Sequence, residues 1–310
     1  MPEEPTSSTS SAGLSNASEQ CVEFAVENGL IPATKECRTH RVPMKVEYGQ
    51  NKNVGSFVCN KGNCRARSRV ARSKDTLFEN IKISLARVFY LMYCYAHCWS
   101  YEDAIHENPE KDKVSIETVC DWYNYCRETV VFYQIERKEA IGKTGGTGKV
   151  VQIYESKFGK RKYNKGRRIE GHWILGLIED GSEDLRLEVC PENIRSADAL
   201  VPLINKHVAE DTTVHTDFWR AYDFLGEHGY IHKKVNYSDP DNPFVIPDGT
   251  HTQRIESQWR VVNRFFKKYN YNHPENFADI ITEYLWRRSV QRNKKDTFMK
   301  LIKAIKYVYK

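Results

Sequence analysis

The feature that most constrains this chain is a change of periodicity near residue 150. From there "VVQIY", "HWILGLIE" and "LRLEVCP" form three apolar runs of strand length in quick succession, parted by turn residues such as "EDGSED". An amphipathic helix, "ADALVPLINKHV", comes next, followed by a fourth strand, "TTVHTDF". A Pro/Asp/Gly-rich loop over 238–249 leads to helices at about 250–268, 275–291 and 296–309. Three strands, then helix, strand and helices, predict an α/β domain over 150–310 built on a mixed sheet flanked by helices.

The preceding half reads differently. Residues 1–20 are rich in Ser, Thr, Pro and Glu and are expected to be a disordered tail. In 21–75, "CRTH" and "CNKGNC" are separated by eighteen residues. Cys37 with His40 and Cys59 with Cys64 give two close pairs of soft ligands, and a hairpin between them brings the pairs together as tetrahedral zinc requires. Gly62 and Asn63 suit the second turn. This segment is expected to be a zinc-ribbon-like domain holding structural zinc.

Residues 76–136 carry helical patterns. "SYED" at 100–103 fits a capping box, and Ser115 opens a helix with apolar Ile116, Val119, Tyr123, Cys126 and Val130. A short helix, a loop and a longer helix outline a helix-turn-helix-like region. Cys94 and Cys98 share a helix face and read as small core residues. Residues 137–149 hold four glycines between 142 and 148. A phosphate-binding loop fails here, because Lys143 stands where a glycine is required and Val150 where a metal-binding hydroxyl is required. A flexible linker is the expectation.

Charge narrows the partners. The net +6 is modest, but 157–168 holds seven Lys or Arg and no acid, and 65–74 holds five more, again with no acid. Acid-free basic runs suit a phosphate partner, and Lys160, Arg161, Lys162, Lys165, Arg167 and Arg168 are the candidate DNA contacts. No apolar run reaches eighteen residues, so no membrane span is expected, and the first residues lack the pattern of a secretory signal. Nine irregularly spaced cysteines fit a reducing compartment.

Two acids stand out. Asp217 lies where a strand ends, and Glu256 lies in the first turns of a helix, one residue off an apolar stripe of Ile255, Trp259, Val262 and Phe266. With their surroundings, "FGKRKYNKGRRIEGHWILGLIE", "HTDFWRAY" and "HTQRIESQWR", they resemble the catalytic domain of Merlin-type DDE transposases and their ISXO-type insertion-sequence relatives. The resemblance covers about 145–290 and extends weakly to "CRARSRVARSKDTLFE" in the N-terminal ribbon.

That resemblance implies a ribonuclease-H-like fold, with three acids holding two magnesium or manganese ions that cut and rejoin DNA. It implies transposon-end DNA and further copies of the chain as partners. The second and third family acids fall on Asp217 and Glu256; the first falls on Tyr154. A phenol is neutral at working pH and is a poor substitute for a bridging carboxylate. Glu155 should point to the opposite sheet face unless a bulge brings it round.

The expectation is therefore a DNA-binding, transposase-like protein with cleavage lost or impaired and the magnesium site weak or absent. The rival is an active transposase with a substitute third ligand such as Glu155. A third reading is a scaffold for other proteins. A nuclear location follows if the host is eukaryotic.

Overall fold

The computed structural model describes residues 10–48, 54–62, 64, 69–109, 113–138, 142–158, 171–241, 244–268 and 276–309. By internal packing the chain divides into two units: Met1–Tyr133 with Val290–Lys310, and Gln134–Ser289.

In the first unit, helix α1 spans Ser10–Glu27. It begins inside the segment whose composition predicts disorder. A three-stranded antiparallel sheet follows: β1 (Lys45–Glu47), β2 (Ser56–Val58) and β3 (Arg69–Ala71), in the order β1-β2-β3. Helices α2 (Leu85–Ala96), α3 (Tyr101–His106) and α4 (Ile116–Lys138) come next. The Ser100–Asp103 capping box forms as the sequence predicts, and Ser115 Oγ accepts from Thr118 N at 3.2 Å. Phe24 of α1 meets Phe89 of α2 edge-on at 5.3 Å and stacks on Phe298 at 6.1 Å. Phe298 belongs to α8 (Thr297–Val308). The last helix thus groups with the first unit, whereas its place in the sequence suggests the strand-rich domain.

The second unit holds a five-stranded sheet of β4 (Val150–Phe158), β5 (His172–Glu179), β6 (Leu185–Val189), β7 (Thr213–Asp217) and β8 (Ile231–Val235). The order is β6-β5-β4-β7-β8. Strands β4, β5 and β6 form an antiparallel meander, while β7 and β8 run parallel to β4. Strand β8, "IHKKV", is absent from the sequence prediction; three of its five residues are half-buried polar ones, so no apolar alternation marks this edge strand.

Alternation along the strands gives the sheet two apolar faces. Val151, Ile153, Leu175, Leu177 and Val214 face α5 (Ala197–His207) and the 3-10 stretch Arg220–His228, burying Leu200, Ile204, Tyr222 and Leu225. Ile174, Ile178, Leu185 and Leu187 face α6 (Gln253–Lys268) and α7 (Phe277–Arg292), burying Ile255, Trp259, Val262, Phe266 and Ile280. The result is a three-layer arrangement, helices on both sides of a mixed sheet.

Gly176 lies opposite Tyr154 in the β4–β5 register. A Cβ there would sit 2.6 Å from the Trp259 ring and 3.0 Å from Ile255 Cδ1. The bare backbone is what lets α6 settle onto the strands at this point.

The glycine-rich segment does not behave as a free linker where it is described. Thr144 N donates to His207 O at 2.8 Å, Gly145 N to Glu179 Oε2 at 3.0 Å and Gly146 N to Thr212 Oγ1 at 2.8 Å. Gly145 and Gly146 have φ of 86° and 114°, values suited to glycine, which is how the segment turns past the ends of the central strands.

Candidate functional site

Two groups of side chains have the makings of a site, one in each unit. In the first, Cys37 N donates to Val42 O at 2.9 Å and Arg41 N to Cys37 O at 2.8 Å, closing a tight knuckle around His40. Cys64 N donates to Lys61 O at 3.0 Å and closes the second turn. The ligand atoms of Cys37, His40, Cys59 and Cys64 all lie within 4.8 Å of one another.

His40 Nδ1 is 3.7 Å from Cys37 Sγ and 3.5 Å from Cys59 Sγ. A tetrahedron with Zn–S of about 2.3 Å and Zn–N of about 2.05 Å has an S···N edge of about 3.6 Å. The four donors therefore fit a zinc ion, with Nδ1 as the histidine donor. Met44 and Phe57 are buried against the three cysteines, and Val42 and Val46 pack on them, so the group is closed on one side by apolar surface. A Cys3His set with this closure could hold a structural zinc ion.

The second group comes from strand register. Gln152 of β4 pairs with His215 of β7, so two residues further along these parallel strands Tyr154 comes level with Asp217 on the same face. That face carries α6, and the helix is fixed over it by a buried amide. Gln152 Oε1 accepts from Arg254 N at 3.0 Å and from Ile255 N at 3.3 Å, two of the unsatisfied donors at the start of the helix. Its Nε2 lies 3.2 Å from His251 Nδ1. Glu256 is therefore held by its own helix above the Tyr154–Asp217 level.

The electrostatics agree with this placement. Burial pushes the Tyr154 phenol up, followed by the charges of Asp217, Glu256 and Glu155. Burial, then the charge of Glu155, pushes Asp217 from 3.8 up to about 6. Asp217 Oδ1 accepts from Trp219 N at 3.1 Å. Glu256 Oε1 accepts from Thr252 Oγ1 at 2.7 Å and from the Tyr237 hydroxyl. The three positions expected from the sequence are thus near enough to feel one another's charge, and Tyr154 shares its sheet face with Asp217.

Glu155 turns to the other face. It is buried; its Oε1 accepts from Arg195 Nη1 at 3.0 Å, and its Oε2 accepts from the hydroxyl of the fully buried Tyr222. Strand β4 pairs with β5 without a break from Val151 to Phe158, so no bulge brings Glu155 round. Arg195, Tyr222 and Gln152 were not legible as site residues. They lie in separate elements, and no spacing in the sequence ties them to position 155 or to the α6 helix start.

The basic runs are only partly described. Lys160, Arg161, Lys162, Lys165, Arg167 and Arg168 lie outside the described residues. In the other run, Arg69 pairs with Glu47 at 3.2 Å, and Arg72 is buried with its Nε on Pro32 O at 2.8 Å. These two arginines serve the N-terminal fold and are not free phosphate contacts.

Residues 143–289 match the family of the ISXO2-like transposase domain. A Haemophilus influenzae protein, named as an uncharacterized transposase-like protein, is 30% identical over 95 residues, covering 31% of this chain and 73% of that protein.

Proposed function

Because the chain belongs to the family of ISXO2-like insertion-sequence transposases, we propose that it is a transposase-derived DNA-binding protein whose own cleavage chemistry is lost or strongly reduced. The strand order, with an antiparallel meander leading into two parallel strands, supports reading the second unit as a ribonuclease-H-like domain. The Cys3His group beside three short antiparallel strands supports reading the N-terminal segment as a zinc ribbon. Helices α3 and α4 suit a helix-turn-helix that reads DNA.

What supports the reading is that Tyr154, the position where the resemblance puts the family's first acid, comes level with Asp217 on the same sheet face. Two-metal phosphoryl chemistry holds its ions about 3.5–4 Å apart and needs negative charge between them. A phenol, pushed further toward its neutral form by burial, gives none. Glu155 does not replace it, because both its oxygens are engaged on the far face by Arg195 and Tyr222. The donor set therefore does not fit a two-metal centre; Asp217 and Glu256 together suit at most one weakly held magnesium or manganese ion. DNA affinity does not depend on that ion, since phosphate contacts come from cations elsewhere. Association of several copies and a nuclear location in a eukaryotic host belong to the same reading.

The test is a nicking assay on DNA carrying transposon terminal repeats, with magnesium or manganese. The unmodified chain is expected to bind, with affinity falling steeply as salt rises, and not to nick. Tyr154→Asp is expected to gain metal-dependent nicking. Nicking by the unmodified chain would overturn the reading.

A further inference from the structure

Immediately after Asp217 the chain exposes two large aromatic side chains in a row. Phe218 is 62% exposed and Trp219 39% exposed. Exposed aromatic pairs are unfavourable in water unless something covers them. Their backbone is also fixed, since Trp219 N is tied to the Asp217 carboxylate at 3.1 Å. The pair is thus held in register with the centre described above.

Each ring is accompanied by a cation. Lys234 Nζ stands 5.2 Å from the Phe218 ring centre. The Arg195 guanidinium lies between two indoles, 4.2 Å from Trp219 and 4.2 Å from Trp173. Arg195 is held there by Glu155, and Lys234 by Asp223 at 2.5 Å. An apolar partner, such as a hydrophobic peptide, would strip water from both ion pairs and offer no polar contact in return. A nucleotide brings a flat ring for the aromatic surface and an anion for the cations.

We propose that Phe218 and Trp219 form a stacking platform for an unpaired DNA base, with Arg195 and Lys234 facing the adjoining phosphates. This rests on the DNA-binding reading above and adds a strand state to it: the platform selects an unstacked base beside Asp217 over paired duplex. The interaction is tolerant of sequence, because every base offers a π face.

The experiment compares the full chain on a fully paired duplex and on the same duplex extended by a short single-stranded tail containing 2-aminopurine, whose fluorescence is quenched on stacking. The tailed DNA is expected to bind on the order of tenfold tighter, with the probe's emission changed on binding. Phe218→Ala and Trp219→Ala should each remove most of that gain and leave duplex affinity intact, while Phe218→Tyr should retain it.

Both positions are exposed, and circular dichroism checks that the variants fold. Equal affinity for the two DNAs, with no effect of either alanine variant, overturns the platform and leaves the DNA-binding reading standing. Failure to bind either DNA overturns both. A tenfold preference for an RNA tail of the same sequence would overturn the assignment to DNA.

Discussion

The Cys37–His40–Cys59–Cys64 group and the Tyr154–Asp217–Glu256 group are built on opposite terms. In the first, two local turns each deliver a pair of donors, all four donors lie within 4.8 Å of one another, and the two histidine edges to Cys37 and Cys59 have the lengths of a zinc tetrahedron. In the second, two strands and a helix converge from distant parts of the sequence, and the convergence survives although one donor is a phenol. The frame of the second group is set by packing and amide hydrogen bonds, so it does not need the ion that its geometry suggests. The first group has little core of its own, so its fold and its metal are expected to stand or fall together.

The largest effect expected from this contrast is in the zinc group. Cys59→Ser should reduce bound zinc from about one ion per chain toward none, and amides over 36–72 should lose their protection from hydrogen exchange. Structural zinc contributes an apparent ~10–16 kcal/mol in small domains. A chelator should have the same effect there while leaving protection in β4 and α6 unchanged. If β4 and α6 also lost protection, the contrast would collapse.

A smaller effect is expected where the helix meets the sheet. Gly176→Ala places a methyl group 2.6 Å from the Trp259 ring, and the overpacking should destabilise the second unit by about 1–3 kcal/mol in denaturant titrations. No change would mean that α6 is not seated as tightly as the register requires.

The smallest effect concerns Asp217, whose carboxyl is raised from 3.8 to about 6 by burial, then by Glu155, against the opposing pull of Trp219 N and Arg195. Below about pH 4 the group is protonated whether folded or unfolded. As pH rises through 6, the folded chain must ionise a buried carboxyl, and the stability present at low pH is lost. Asp217→Asn removes that loss. Its advantage over the parent should therefore grow from pH 4 to pH 6 and then level off, as read from unfolding midpoints at several pH values. An advantage constant across that range would show that the carboxyl is not titrating there.

The sequence made local devices legible and distant ones only in part. The C-x2-H and C-x4-C pairs announce a ligand group because each pair comes from one turn. The Ser100 capping box and the eight residues of β5 follow from short-range pattern. Strand order is set by packing across the whole second unit, which no local pattern encodes. Glycine signals conformational freedom, and no local pattern announces the bonds from Gly145 and Gly146 to Glu179 and Thr212, more than thirty residues away. Asp217 and Glu256 stand out by their places at a strand end and a helix start, and Tyr154 joins them only through resemblance. That Glu155 belongs to Arg195 and Tyr222 needed the coordinates, although the alternation of a strand had already sent it to the other face.

The Gln152 clasp has a consequence for the history of such a chain. An amide has no charge to lose and no ion to wait for, so the two hydrogen bonds that join strand and helix depend on neither protonation of the amide nor a bound metal. Aspartate and tyrosine codons differ by a single base. On the reading proposed above, the step between an acid and a phenol at position 154 is therefore a single mutation in either direction.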